Sequence, residues 1–127
     1  MTKKATVTII SGENIGDATL DKLIAKSNSI GYLAEFGVPK LLPNASPQEV
    51  IEQRSRINHQ RICAKLTNIR RSDDGQSVVA DVEPYGPMAK SVKARIEKNM
   101  EQSLKFSIRS ITKNMKREII TFDLTGF

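Results

Sequence analysis

The 127-residue chain has a single cysteine, Cys63, a single histidine, His59, and no tryptophan. One cysteine forms no disulfide within the chain, which makes a reducing compartment its natural setting. One cysteine and one histidine are also too few ligands for an ordinary zinc site, so no metal is expected. Aromatic residues are only 5% of the chain and show no RNA-binding signature. Long apolar runs are missing as well, and nothing approaches the ~20 residues of a membrane helix. The basic start Met1-Thr2-Lys3-Lys4 leads only into Ala5-Thr6-Val7-Thr8-Ile9-Ile10 before polar residues and Gly12. That stretch is too short for a signal-peptide core and has no small-residue cleavage site. No membrane partner and no cofactor are expected.

What is present describes one globular domain over residues 1–127. An apolar share of 39% with 27% charged residues carries no disorder signature. A chain of this length buries roughly two-thirds of its unfolded surface without a staple. The net charge of +6 suits nucleic acid or an acidic protein surface. No basic run exceeds a pair such as Arg70-Arg71, so contact with nucleic acid is expected to be non-specific.

Periodicity supplies about six strands and three helices. Thr6–Ile10 is β-branched and reads as a first strand. Asp17 is placed to cap a helix with the stripe Leu20, Leu23 and Ile24. Ile30–Phe36 reads as a buried strand. Ser46-Pro47-Gln48-Glu49 is a capping box with proline in the first turn, for a helix carrying Val50 and Ile51 and ending near Ser55. Arg61–Arg70 and Gln76–Glu83 alternate as two strands around the hairpin signal Ser72-Asp73-Asp74-Gly75. Met88, Val92, Ile96 and Met100 recur at helical spacing, as core packing. In the next strand Leu104, Phe106 and Ile108 face one way, and Lys105, Ser107 and Arg109 the other, a solvated face. Arg117–Leu124 forms a last strand with Ile120, Phe122 and Leu124 on one side. The expected fold is α+β: a mainly antiparallel, partly closed sheet or small barrel with about three helices. Cys63 reads as packing, and Glu35 and Asp81 as surface or sheet-edge charges.

The order of five pieces carries more than any one of them. Tyr32-Leu33-Ala34-Glu35-Phe36-Gly37-Val38-Pro39 comes first, then Ile57-Asn58-His59-Gln60-Arg61-Ile62 leading into a strand. Val82-Glu83-Pro84-Tyr85-Gly86-Pro87-Met88-Ala89-Lys90 ends the hairpin and opens a helix. Leu104-Lys105-Phe106-Ser107-Ile108-Arg109-Ser110 and Ile120-Thr121-Phe122-Asp123-Leu124 follow. Over roughly residues 30 to 125 these resemble the phage prohead maturation proteases, relatives of the herpesvirus assemblin fold. In that family a Gly-Glu-Leu-x-His-Pro stretch carries the catalytic histidine and a Val-Ser-Ser-Arg-Gly strand carries the nucleophile.

The resemblance implies Ser107 at the nucleophile position, Arg109 at the arginine that follows, and Val38 at the histidine. Valine accepts no proton. Ala34 and Ser110 replace family glycines, and Ala64 stands where a second histidine is often found. Loss of a triad member costs several orders of magnitude in rate. The expectation is therefore a non-catalytic phage head structural protein with a vestigial site, serving as capsid decoration or a head-assembly module. Its implied partners are capsid or scaffold proteins, with self-association as a further option. Its implied location is the host cytoplasm during assembly, then the virion head. The end at Gly126-Phe127, where active members run on, agrees with a structural role or with a processed product. Two alternatives stay open: an active serine-type prohead maturation protease using Ser107 with His59 or an unidentified base, and a basic, β-rich nucleic-acid-binding protein.

Overall fold

The computed structural model describes residues 4–11, 16–37 and 43–126. Its elements run β1 (Ala5–Ser11), α1 (Asp17–Ser29), β2 (Tyr32–Glu35), α2 (Pro47–Ser55), β3 (Ile62–Arg71), β4 (Ser77–Pro84), α3 (Ala89–Glu97), β5 (Lys105–Lys113) and β6 (Lys116–Gly126). Short 3-10 turns at His59–Arg61 and Glu101–Ser103 precede β3 and β5.

Four antiparallel strands form one sheet in the order β1-β4-β3-β2, and β5 and β6 form a separate hairpin. The two are joined where the chain leaves β2. Phe36 bridges Leu124 in parallel, and the Gly37 N–H donates to the Leu124 carbonyl at 2.8 Å. On the far side the two unpaired edges, β1 and β5, face each other across a cleft of about 470 Å³ lined by residues such as Ile9, Leu104 and Ser107. The result is the expected α+β fold in its partly closed form, two sheets with no closed barrel.

The core follows from the pattern. Val7, Leu66, Val78, Ala80 and Val82 fill the inside of the large sheet, and Phe122 and Leu124 that of the hairpin. Tyr32 meets the Phe122 ring edge-on at 5.6 Å. From α1, Leu20 and Leu23 are buried; from α3, Val92 and Ile96. Burying side chains of this size contributes about 1.5–3 kcal/mol each. Ser27 is also buried because its hydroxyl accepts from the Ile69 N–H at 3.2 Å and donates to the Ile24 carbonyl. That interaction satisfies a β3 amide left over where Asn68, with φ of 52°, breaks the β3–β4 register.

Several boundaries and faces differ from expectation. Gly16 is the N-cap of α1, and Asp17 is its first helical residue, paired with Arg71 at 2.9 Å. Ile30 is the C-cap and 65% exposed, because Gly31 turns with φ of 76° and delays β2 to Tyr32. The Ser46–Glu49 capping box forms with both of its hydrogen bonds, but no α2 residue is fully buried. Met100 is 43% exposed rather than core: α3 ends at Glu97, and Asn99 turns the chain with φ of 57°.

Candidate functional site

Strand β5 carries both motif residues, and the structure separates their environments. Ser107 is exposed. It stands opposite Asp123 in the β5–β6 register, and its hydroxyl shares a 2.9 Å hydrogen bond with the Thr125 hydroxyl. A hydroxyl paired with another hydroxyl gains no acidity from it; activation needs a base that takes the proton.

Arg109 is 1% exposed, which corrects its assignment to a solvated face. Alternation along β5 does put Ser107 and Arg109 on the same side, but the C-terminal end of α2 covers that side at Arg109. A register shift between Arg109 and Ser110 lies at this level of the hairpin. The guanidinium forms a fork on Asp123, with Nε to Oδ2 at 3.0 Å and Nη2 to Oδ1 at 2.6 Å. Nη2 also donates to Glu35 Oε2 at 2.5 Å. Nη1 donates to the Arg56 carbonyl at 2.8 Å and the Arg54 carbonyl at 3.5 Å. All five arginine donors are thereby used. The carbonyls at the end of α2 also gain a cation where the helix dipole is negative.

Glu35 and Asp123 are each 2% exposed, so Glu35 is a buried ion-pair partner and not the expected surface or sheet-edge charge. Its Oε2 accepts a second bond from the Asn58 N–H at 3.0 Å, which ties the loop before β3 into the cluster. Burial tends to neutralise Arg109, but hydrogen bonds and charge from Asp123 and Glu35 outweigh it and hold the guanidinium more firmly protonated than usual. Burial pushes Asp123 above its ordinary range, against the pull of Arg109 and with some repulsion from Glu35. The signal available in sequence was a carboxylate inside the apolar strand Tyr32–Phe36, since a charge there is stable only with a partner.

His59 is exposed on the turn before β3. That turn contacts the end of β2, where the Phe36 N–H donates to the Arg61 carbonyl at 2.9 Å and an Arg61 guanidinium nitrogen donates to the Phe36 carbonyl. Gly37 in turn bonds β6, and β6 pairs with β5. Among the described residues, no hydrogen bond joins His59 to Ser107, whose hydroxyl partner is Thr125. Val38 lies outside the described residues.

Ala34 and Ala64 are direct cross-strand partners, both 0% exposed. An imidazole at Ala64 would have to be buried there. Cys63 is also 0% exposed, with its Sγ 3.5 Å from the Ala34 carbonyl, and burial pushes its thiol up to about 12. It is core packing, as expected. Asp81, half-buried on the sheet surface, binds Thr6, Asn68 and Arg70.

A family model described as the Peptidase S80 family matches residues 18–125. No curated protein and no solved structure gives a significant match.

Proposed function

The chain belongs to the Peptidase S80 family, a family of phage prohead proteases, and from that premise we propose that it is a non-catalytic member, a structural module of the phage head. The observation that carries this reading is the state of Ser107, whose hydroxyl is bonded to Thr125 and, among the described residues, shares no hydrogen bond with the only histidine of the chain. The family's histidine position falls on Val38, a hydrocarbon side chain. Arg109, with every donor taken by acceptors within the fold, is not free to bind a developing oxyanion. What the family motif retains is the arginine's structural work. The domain then serves the head by binding capsid or scaffold proteins.

Sedimentation of the purified chain with assembled proheads tests this. Association should persist above about 0.3 M salt, where screening is already short-ranged, because a protein interface keeps its apolar contribution. Head proteins should stay uncleaved. Retention on DNA without prohead association would replace this reading with the nucleic-acid one. Cleavage that disappears in Ser107→Ala would replace it with the active protease.

A further inference from the structure

Away from Ser107, the exposed side of α1 and the tip of the β5–β6 hairpin enclose a cleft of about 550 Å³. Five cations line it, Lys22, Lys26, Lys113, Lys116 and Arg117, against one acid, Glu118. That excess accounts for most of the chain's net charge of +6. Lys22 and Lys26 lie one turn apart on α1, and Lys113 and Lys116 pair across the hairpin end. Among the described residues, Lys22, Lys113 and Lys116 are in no ion pair, and Lys26 lies over the Tyr32 ring at 4.6 Å. Like charges gathered from two separate elements repel one another unless an anion comes between them.

A second observation indicates which kind of anion. Lys113 and Lys116 flank the two-residue turn Asn114-Met115, and both turn residues have positive φ, 52° and 62°. Asparagine tolerates this region; methionine does so only with strain. Met115 is nevertheless 98% exposed at the apex, so neither backbone preference nor burial explains it. A flexible, polarisable thioether held out on a tight turn is suited to an apolar contact. Phosphates need only the cations, whereas a protein segment uses both features. We propose that this cleft docks an acidic protein segment, with its carboxylates among the lysines and an apolar side chain at the rim, against Met115 at the hairpin apex just outside the cleft lining. The proposal stands on the charge and shape of the cleft and is independent of whether Ser107 is reactive.

The test is fluorescence anisotropy with two labelled probes: a synthetic peptide of glutamates interrupted by single leucines, and a short DNA duplex. All substituted side chains are exposed, and thermal melts confirm that each variant is folded. Lys22→Glu/Lys113→Glu/Lys116→Glu should weaken peptide binding by about tenfold or more. Met115→Gly relieves the turn, so it should melt no lower than the parent while weakening the peptide about threefold and leaving DNA unchanged. Peptide binding that the triple variant leaves intact would overturn the proposal. So would a Met115→Gly variant that binds the peptide like the parent while the triple variant loses DNA, because the cleft would then be a nucleic-acid site.

Discussion

Ser107 and Arg109 occupy the same strand and the same side of it, two residues apart, and the structure treats them in opposite ways. Arg109 is sealed beneath the end of α2, with two carboxylates and two carbonyls on its guanidinium. Ser107 is open to solvent, and its one side-chain partner is another surface hydroxyl. The arginine joins four parts of the fold: β2 through Glu35, β6 through Asp123, the end of α2, and β5 itself. Removing it would damage the domain whatever the domain does. The serine carries no such burden. The contacts of Arg109 account for it by folding alone, so its presence says little about catalysis.

The largest effect that sharpens this contrast is expected at Arg109. Arg109→Leu leaves two buried carboxylates without their cation and should cost about 3–5 kcal/mol, read as a shift of the urea midpoint. Arg109→Lys should recover little of this, because an ammonium lacks the planar fork that meets Asp123 at both oxygens. A loss below about 1 kcal/mol for Arg109→Leu would put the arginine on the same footing as an ordinary surface residue and dissolve the comparison.

Asp123→Asn should cost less, about 1–2 kcal/mol in acid, since the amide oxygen still accepts a bond from Arg109. Its pH dependence has a definite sign. Burial raises the carboxyl of Asp123, so the folded protein holds that proton more tightly than the unfolded chain does. The stabilisation from that proton is fully present below the unfolded value of about 3.9 and is lost as pH rises through the folded one. The stability gap between the parent and Asp123→Asn should therefore narrow from about pH 3 toward neutrality. A gap that widens would mean that Arg109 outweighs burial at this carboxylate.

At the other end of the scale, Ser107→Ala should change stability by no more than about 0.5 kcal/mol, as for an exposed position with one hydroxyl contact. Cys63, with its thiol raised to about 12 by burial, should not be alkylated in the native protein near neutral pH and should react fully once unfolded. Native reactivity at Cys63 would reveal opening of the sheet beside Glu35.

The local features were the legible ones. The Ser46–Glu49 box, the turn after Ser72 and the stripes Leu20/Leu23 and Val92/Ile96 are set by residues within a few positions of each other, and each forms. Ile30 and Met100 were misread because a positive-φ residue next to each, Gly31 and Asn99, turns the chain before the apolar pattern ends. Arg109 and Glu35 failed for another reason. Period-two alternation identifies the side of a strand a residue is on, but not that a distant helix end covers part of that side. The three members of the cluster are separated by 74 and 14 positions, counted from Arg109 to Glu35 and to Asp123. The candidate serine was legible through the order of motifs; its pairing with Thr125 depends on hairpin register, which the sequence leaves open.

The central claim is that Ser107 is an unactivated hydroxyl, and labelling with a fluorophosphonate probe followed by peptide mass analysis tests it most directly. The account predicts no modification of Ser107 near neutral pH, with the parent and His59→Ala indistinguishable. Stoichiometric labelling at Ser107 that His59→Ala abolishes would contradict it, for the serine would then have a working base.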